Sequence, residues 1–579
     1  MVLRQRTISE CGLNFRDARS FFRYSNQRLR GPEPIPALQA DGAPANVCPS
    51  DKADVLASHF AQIYSTPDLS KPCNIPQYTT ARIISPDSAI VFTEELVSEQ
   101  LARLSSKNST TPDKIPPTFL KTFRLFLSEP LTYIFQRSYE EAIAPALFRS
   151  GIVTALHKKG SKHDVCNYRP ITQGVIACQI FERMLTSHIV HHLKMNNLFD
   201  PNQHGFVPLK STTTQLLDTV HEYANFINER VPFHAVYFDL KSAFDKVDHR
   251  RLLAKMGQLG LHHKTIQWCS SYLTDRSFRV KVLDYLSIPH PVSSGVPQGG
   301  SLSPLLYVIY VLDIGQYIPH SIKYLSFADD LKLMGPARNS TDVEILQQAI
   351  LGVGRWCEDN NMVLSIPKCN ILINQSLAAH SQPNYTINGT KLPIVHRTRD
   401  LGVDIAADLD FDGHITALVS SARILVNSIF RCFIVRRPEF YIRLFQTLVL
   451  PKFLYCAPIW LPYKAKHRRS IESINEYFCR RLSLRCPGVS HPSEIPSIIE
   501  AMESQDERAL RRIILIGNTH RFFKLRRNSL RSSVSISTNR RARLESIRHQ
   551  FAWRICSKVT NGVISKDILN LASIVAPSL

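Results

Sequence analysis

The stretch Tyr324-Leu-Ser-Phe-Ala-Asp-Asp-Leu-Lys-Leu-Met334 places two adjacent acids between apolar runs. This pattern predicts a β-hairpin whose tight turn carries Asp329 and Asp330. An exposed Asp-Asp turn would have more polar neighbours. The flanking apolar residues here are Leu325, Phe327, Leu331 and Leu333. Because two neighbouring carboxylates held against a core repel each other unless a cation neutralises them, the stretch predicts a metal ion at the turn.

A third acid ends an apolar run upstream, in His234-Ala-Val-Tyr-Phe-Asp-Leu-Lys-Ser-Ala-Phe-Asp245. Side chains alternate along a strand, so Asp239 shares a face with Tyr237 and Ala235. Val236 and Phe238 face the other way, towards a helix-covered core. An Asp after a strand is often only a cap or turn residue, so this segment alone leaves the role of Asp239 open.

The three acids Asp239, Asp329 and Asp330 together suggest a catalytic metal site. Carboxylate oxygens are hard ligands, which favour Mg²⁺, or Mn²⁺ in its place, over zinc. Three acids can hold two ions roughly 4 Å apart, as in-line phosphoryl displacement requires. The predicted chemistry is nucleotidyl transfer.

A glycine-rich segment, Ser293-Ser-Gly-Val-Pro-Gln-Gly-Gly-Ser-Leu-Ser-Pro304, lies between the two acidic strands. Its glycines permit close backbone approach, and Ser303-Pro304 fits the start of a helix. A glycine-rich turn alone is weak evidence of function, but this run between two acidic strands is far more specific.

These segments resemble the reverse transcriptases of non-LTR (LINE-type) retrotransposons. Asp239 with Ala243-Phe-Asp245 resembles the family's motif A, Gly295-Val-Pro-Gln-Gly299 resembles motif B, and Phe327-Ala-Asp-Asp330 resembles motif C. The resemblance implies an α/β (α+β) right-hand polymerase with fingers, a ferredoxin-like palm sheet and a helical thumb. It implies an RNA-directed DNA polymerase that uses two Mg²⁺ ions, an RNA template, a DNA primer and dNTPs.

Further positions match the family motif by motif. Leu156-His-Lys-Lys-Gly160 and Asn167-Tyr-Arg-Pro-Ile171 resemble the fingers segments that hold the triphosphate, Trp356 to Lys368 resembles motif D, and Asp400-Leu-Gly-Val-Asp404 resembles the primer-grip turn. The implied dNTP-binding residues are Lys158, Lys159, Arg169, Phe244, Gln298, Gly299 and Lys368. The implied template and primer contacts are Lys210, Ser211, Leu401 and Gly402. Lys368 is a possible proton donor to pyrophosphate, or only a surface lysine near a turn.

Some positions depart from the family pattern. Thr111-Pro-Asp-Lys-Ile-Pro116 stands where Gly-Pro-Asp-Gly-Ile-Pro is usual, and Gln179 stands where a Lys is usual. Val207-Pro-Leu-Lys210 replaces an Arg-rich turn, so Lys210 has to supply the positive charge there alone.

Phe244, the fifth residue after Asp239, bears on sugar choice. A DNA-making enzyme places a bulky ring under the incoming sugar to clash with a 2′-OH, whereas viral RNA polymerases usually carry Asp there. The ring favours deoxynucleotides, although an aromatic residue at this position could also serve core packing.

The chain of 579 residues carries 70 Lys and Arg against 48 Asp and Glu, a net charge of +22 that favours a polyanionic partner. The basic stretch from Arg508 to Arg548 extends this charge. No apolar run reaches 18 residues, so no membrane segment is expected. The 13 cysteines form no C-x-x-C pair and are expected to be free thiols. Cys479, Cys486 and His491 match no standard zinc finger.

The predicted organisation is an N-terminal linker with helices over 1–95, fingers and palm over 96–400, a primer-grip turn and helical thumb over 401–500, and a helical basic region over 501–579. The thumb helices are expected to contain Ile424, Leu425, Phe430, Phe445 and Leu448. Helices are predicted from Asp51 to Tyr64 and from Thr93 onward, the latter with a stripe of Leu96, Leu101 and Leu104.

The chain looks like the C-terminal portion of an element, with no endonuclease domain before it. The expected location is intracellular, in the nucleus or in a cytoplasmic ribonucleoprotein. Two alternatives stay open: an inactive nucleic-acid-binding remnant of a retrotransposon, and a group II intron-type reverse transcriptase.

Overall fold

The computed structural model describes residues 35–38, 48–65, 87–106, 111–374, 384–462, 464–487 and 497–504. They belong to two compact units. Of the described residues, the larger unit contains those within 35–211 and 231–395, and the smaller unit contains those within 212–230 and 396–504. The predicted basic stretch from Arg508 to Arg548 lies outside the described residues. The predicted domain boundaries stay predictions.

A five-stranded sheet forms the centre of the larger unit. Its strands are β3 (Phe233–Asp239), β7 (Lys323–Phe327), β8 (Asp330–Pro336), β9 (Asn370–Ile373) and β12 (Ile394–Val395). Their order is β12-β9-β3-β8-β7. Strands β9, β3, β8 and β7 are antiparallel neighbours, and helices connect β3 to β7 and β8 to β9. This order and connectivity are those of the predicted ferredoxin-like palm sheet.

Strand β3 is central because its sequence is apolar on both faces. Its residues from Phe233 to Phe238 are all buried, as befits a strand with a neighbour on each side and layers above and below. Val236 and Phe238 pack in the main core beneath the helices, as the alternation predicts. The strand loses its burial at Asp239, where it ends.

A second sheet lies in the same unit. It consists of β1 (Ser150–His157), β2 (Tyr168–Gln173), β4 (Arg276–Val282), β5 (Tyr285–Leu286) and β6 (His290–Val292). The strand order is β2-β1-β4-β5, and β6 pairs with β4. The antiparallel β1–β2 hairpin carries the predicted triphosphate-binding segments at its tip.

Helices cover both sheets. Those of the larger unit are α1 (Pro49–Ala61), α2 (Glu94–Ala102), α3 (Pro117–Thr122), α4 (Arg124–Glu140), α5 (Ala146–Arg149), α6 (Ile176–Met195), α8 (His249–Gln258), α9 (His263–Leu273), α10 (Ser303–Tyr310) and α11 (Ser340–Asp359). Helix α10 begins at the predicted Ser303-Pro304 and is buried almost all round, which agrees with its apolar sequence. A short hairpin of β10 (Thr386–Ile387) and β11 (Thr390–Lys391) precedes β12.

The smaller unit is mainly helical. Its elements are α7 (Thr212–Asn228), the hairpin of β13 (Arg397–Asp400) and β14 (Val403–Ala406), α12 (Asp412–Cys432), α13 (Pro438–Leu444), a π-helical turn (Phe445–Val449), α14 (Leu450–Leu454), α15 (Ala457–Trp460) and α16 (Ala465–Arg485). Phe430 of α12 stacks on Tyr441 with ring centres 4.7 Å apart. Among the described residues, α12 is the helix long and apolar enough to span a bilayer by length and composition. Its buried face against neighbouring helices is also what a core helix of a globular unit has.

Both predicted N-terminal helices are present, but the bounds of the first and the buried residues of the second differ from the prediction. The first runs Pro49–Ala61 with Leu56 and Phe60 buried. The second begins after Thr93, whose side chain accepts a hydrogen bond from the Leu96 amide. The predicted apolar stripe is wrong at Leu96, which is 44% exposed, because Val97 occupies the buried position instead.

Candidate active site

The three predicted acids meet at one end of the central sheet. Asp239 and Asp330 are directly paired across β3 and β8, so their Cα atoms are roughly 4.5–5.5 Å apart. Asp329 lies beside them in the two-residue turn between the paired residues Phe327 and Asp330. The predicted hairpin is therefore present, and acids far apart in the sequence converge because β8 pairs with β3.

The hairpin turn depends on a segment from elsewhere in the chain. Ala328 has a left-handed φ of 54°, and its amide donates to the Gln203 side-chain oxygen at 3.0 Å. The Gly205 amide donates to the same oxygen at 2.7 Å. The backbone of residues 202–204 also pairs with Ser326 on the edge strand β7. Gln203, which the sequence did not single out, thus fixes the turn that holds Asp329.

Gly205 is expected to tolerate no side chain. A Cβ there would lie 2.2 Å from the Ala328 nitrogen and 2.9 Å from the Phe327 carbonyl carbon, both backbone atoms that cannot rotate away. We expect Gly205→Ala to lower the free energy of unfolding by roughly 3 kcal/mol. Urea denaturation measures this change. Gly174→Ala is the matched control, because a Cβ at Gly174 meets nothing within 4 Å; equal stability of the two variants would contradict the close packing at Gly205.

Positively charged side chains lie near the acids. Burial raises the pKa of Asp329, and the nearby Asp239 carboxylate raises it further. The Lys368 ammonium donates to Asp239 Oδ2 at 2.7 Å. Burial, Arg169 and Lys368 lower the pKa of Lys158, whereas Asp239 raises it. Asp239, Asp329, Lys158, Arg169 and Lys368 therefore share one electrostatic environment.

The donor set at these acids fits hard divalent cations. Asp239, Asp329 and Asp330 offer only carboxylate oxygens, the ligands that Mg²⁺ and Mn²⁺ prefer. Burial and, to a smaller extent, the neighbouring Asp239 carboxylate raise the pKa of Asp329, so a bound cation would stabilise its ionised form. In the part of the chain that the structure describes, no three Asp, Glu, His or Cys side chains are arranged as a set of metal ligands. Lys368 serves as the cation beside Asp239 instead.

The predicted phosphate-binding residues lie on the β1–β2 hairpin. Arg169 pairs with Leu156 across the two strands, and the Lys158 amide bonds the Asn167 carbonyl at 2.8 Å. Lys158, Lys159 and Arg169 are all exposed. The positive charges of Arg169 and Lys158 lower the pKa of Asp329, so both lie near enough to act on this carboxylate.

Phe244 lies half-buried between two other rings. It stacks on Tyr307 with ring centres 4.7 Å apart and planes 12° apart. Phe206 meets it edge-on at 6.0 Å. The helix α10 that follows the glycine-rich loop therefore sets the plane of the Phe244 ring.

The glycine-rich loop is fixed at both of its ends. Gly299 has a φ of 116°, and a Cβ on it would lie 2.5 Å from the Thr172 carbonyl oxygen. The backbone carbonyl of Gln298 accepts a hydrogen bond from the Thr172 amide at 2.7 Å. The side-chain Nε2 of Gln298 donates to the Asp245 carboxylate at 2.7 Å. The buried carboxylate of Glu182 accepts from the Ser301 amide at 2.5 Å at the start of α10. The sequence analysis gave Asp245 no role beyond its place in motif A and did not single out Glu182, since the sequence does not reveal which buried acids contact this loop.

The predicted template residues belong to the larger unit and the predicted primer residues to the smaller one. The Lys210 ammonium donates to the backbone carbonyls of Pro201 and Gln203, at 2.5 and 2.9 Å, so in this structure it supports the turn segment. Ser211 follows it and is exposed. Leu401 and Gly402 form the tight turn of the β13–β14 hairpin in the smaller unit, both with left-handed φ. Tyr455 donates to the Leu401 carbonyl at 2.7 Å.

The chain matches a reverse transcriptase family model and is similar in sequence to RNA-directed DNA polymerases of transposable elements. Residues 156–403 match the family model described as reverse transcriptase (RNA-dependent DNA polymerase). The chain is 25% identical over 445 residues to a probable RNA-directed DNA polymerase from transposon X-element of Drosophila melanogaster, covering 75% of this chain and 49% of that one. It is 23% identical to the RNA-directed DNA polymerase from mobile element jockey of the same organism, covering 80% of this chain and 52% of that one.

The chain thus spans about half the length of these relatives. A solved telomerase structure from Candida Tropicalis with a fragment of telomeric RNA aligns with 72% of this chain and 67% of its own. The TM-score is 0.36 and the sequence identity is 13%.

Proposed function

We propose that this chain, whose residues 156–403 form a reverse transcriptase domain, is an RNA-directed DNA polymerase of a non-LTR retrotransposon. It would transfer deoxynucleotides onto a primer 3′-OH with an RNA strand as template. The observation that carries the proposal is the pairing of Asp239 with Asp330 across β3 and β8, with Asp329 in the adjoining turn. The names of the relatives support the same reaction.

The acids are assigned to metal binding. Asp239, Asp329 and Asp330 would hold two Mg²⁺ ions, or Mn²⁺ in their place. When bound, the ions would lower the pKa of the primer hydroxyl and stabilise the leaving pyrophosphate. Lys368 would leave its contact with Asp239 as the site fills, since both cations compete for the same carboxylate.

The cations of the β1–β2 hairpin are assigned to the triphosphate. Arg169 can make a two-pronged contact with phosphate oxygens, whereas Lys158 and Lys159 act as point charges. Burial and, after it, the positive charges of Arg169 and Lys368 lower the pKa of Lys158, and an incoming polyanion would offset the repulsion between these cations. We assign Lys368 as the proton donor to the departing pyrophosphate.

The remaining predicted residues shape the substrates. Phe244 would exclude the 2′-OH of a ribonucleotide, and Gln298 with Gly299 would contact the incoming nucleotide. We assign Lys210 and Ser211 to the template side, and Leu401 and Gly402 to the primer. The helices of the smaller unit would act as the thumb on the template–primer hybrid, and we propose that the protein works inside the cell, in the nucleus or in a cytoplasmic ribonucleoprotein.

Primer extension tests the proposal directly. Purified protein is given an RNA template with an annealed oligo(dT) primer, Mg²⁺, and either dNTPs or rNTPs. We expect extension with dNTPs and little with rNTPs. An inactive nucleic-acid-binding remnant would bind the template–primer without extending it, and preferential use of rNTPs would refute the assignment as a DNA polymerase.

A further inference from the structure

The turn after Asp239 and the glycine-rich loop are joined into one double loop. The Gly295 amide bonds the Val247 carbonyl and the Val296 amide bonds the Phe244 carbonyl, both at 2.8 Å. A Cβ on Gly295 would lie 2.6 Å from the Asp245 carbonyl oxygen, so only glycine permits this approach. Phe244 and Gln298, both assigned to the nucleotide, are therefore carried on one connected support.

The Asp245 side chain lies inside this double loop. It is 4% exposed, and its Oδ2 accepts from Gln298 Nε2 at 2.7 Å. Burial raises the pKa of Asp245 to about 6, so the group is mostly ionised at pH 7 and above. An ionised carboxylate can only accept hydrogen bonds. The Gln298 amide must therefore turn its NH₂ group towards Asp245, which directs its carbonyl oxygen elsewhere.

We propose that Asp245 is a positioning residue that fixes the orientation of the Gln298 amide, so that Gln298 presents its carbonyl oxygen to hydrogen-bond donors of the incoming nucleotide. This inference rests on the proposed function, because it assigns the nucleotide as the partner of Gln298. Without the carboxylate, the two ends of the amide are similar in shape and either could face the nucleotide. With Asp245 in place, only one of the two orientations of the Gln298 amide keeps the hydrogen bond to the carboxylate.

Residues upstream of the reverse transcriptase domain reinforce this support. The Ser294 hydroxyl donates to the Asp245 carbonyl at 2.7 Å and accepts from the Ser65 amide at 2.8 Å. The Ser293 hydroxyl donates to the Ser65 carbonyl at 3.0 Å, and Lys246 Nζ donates to the Ser65 hydroxyl at 3.3 Å. Ser65 follows helix α1, outside the matched residues 156–403. Hydrogen bonds to Ser65 therefore support the double loop in addition to the hydrogen bonds between its own two segments.

A purely structural role for Asp245 makes a different prediction from a positioning role. A structural carboxylate stabilises the loop whatever residue stands at position 298. A positioning carboxylate has no further effect on nucleotide binding once the Gln298 side chain is gone. The two roles are separated by a double-mutant cycle, which measures whether the effects of two substitutions are independent.

The experiment measures single dNTP addition to a primed RNA template by the full chain, with the apparent KM for the dNTP and kcat determined separately. The variants are Asp245→Ala, Gln298→Ala and the double variant. We expect each single change to raise the KM by about tenfold, the effect of one hydrogen bond, and the double variant to equal Gln298→Ala within about twofold. Asp245→Asn, whose amide can face Gln298 with either its oxygen or its NH₂ group, no longer fixes one orientation and is expected to raise the KM by several-fold, but only while Gln298 is present.

Asp248→Ala is the matched control. Asp248 is also buried, three residues further along, but caps helix α8 by accepting from the Arg251 amide at 3.1 Å. Its loss should reduce stability, and any effect on the KM should multiply with that of Gln298→Ala. The same independence for Asp245 would overturn the inference.

If Asp245→Ala does not fold, Asp245→Asn with and without Gln298→Ala completes the cycle. A KM raised only when Gln298 is present supports the inference, and a KM that is unchanged or is raised by an equal factor in both backgrounds overturns it. A wild-type chain that adds no dNTP overturns the proposed function. Activity with independent effects at 245 and 298 overturns the positioning role alone.

Discussion

Substitution of Asp329 by Asn should abolish nearly all DNA synthesis while leaving the protein folded. The change removes one negative charge from the site assigned to two metal ions. Metal ions at a phosphoryl-transfer centre supply several kcal/mol of charge stabilisation, so we expect kcat for dNTP addition to fall by roughly a thousandfold. The measurement is primer extension on an RNA template with Mg²⁺.

Asp329→Asn should lose activity without losing stability against unfolding. The pKa of Asp329 is higher in the folded protein than its ordinary value, mainly because of burial. An acid with a raised folded pKa binds its proton more tightly when folded, so its ionised form opposes folding at neutral pH. Asn carries no charge, and we therefore expect an unchanged or higher unfolding midpoint at pH 7.

The chain contains a matched control for this change. Asp284 lies in the β4–β5 hairpin, in a two-residue turn between the paired residues Val282 and Tyr285. The preceding Leu283 has a φ of 54°, the same as Ala328 before Asp329. Asp284→Asn therefore makes the same chemical change in a similar turn away from the acids, and extension should be unaffected. Activity of Asp329→Asn within a few-fold of this control would refute the metal-site assignment.

Replacement of Phe244 by Ala is expected to weaken discrimination against ribonucleotides. The ring is held by its stack on Tyr307 and by the edge contact with Phe206, so it can move little to admit an added hydroxyl. Steric exclusion of a small group is worth roughly 1–3 kcal/mol, or about 10–200-fold. We expect the ratio of kcat/KM for dNTP over rNTP to fall by that factor.

Two control variants test whether the ring itself is responsible. Phe244→Tyr keeps the ring and should keep the discrimination of the wild type. Phe126→Ala makes the same truncation on helix α4, where the side chain is 80% exposed, and should leave the nucleotide ratio unchanged. If Phe244→Ala selects dNTPs as well as the wild type does, the ring serves packing against Tyr307 and not sugar choice.

Local patterns predicted the palm well. The apolar run ending at Asp239 is the central strand β3, and the acidic stretch from Tyr324 to Met334 is the β7–β8 hairpin. Both follow from short-range rules, since side-chain alternation and the turn between two apolar runs are properties of neighbouring residues. The palm strand order agrees with the ferredoxin-like prediction that came from the resemblance.

Other features could not be predicted from local patterns. The resemblance assigns Lys210 and Gln298 to the template and the nucleotide, but it does not reveal that the Lys210 ammonium also bonds the Gln203 carbonyl or that the Gln298 amide bonds Asp245. The helical spacing predicted that Leu96 is buried, but in the structure Leu96 is exposed and Val97 is buried in its place. In each case the outcome depends on which distant segment lies opposite, and that information is not in the neighbouring residues.

By itself, the sequence determined the elements and the type of chemistry: which strands end in acids, which loop requires glycine, and which ring follows Asp239. The tertiary structure alone decided how these parts are held. Gln203 fixes the turn of Asp329, Tyr307 sets the plane of Phe244, and Asp245 orients Gln298. The reason is physical: secondary structure depends on short-range sterics and apolar periodicity, whereas a buried hydrogen bond or ring stack requires two surfaces that meet only when the chain has folded.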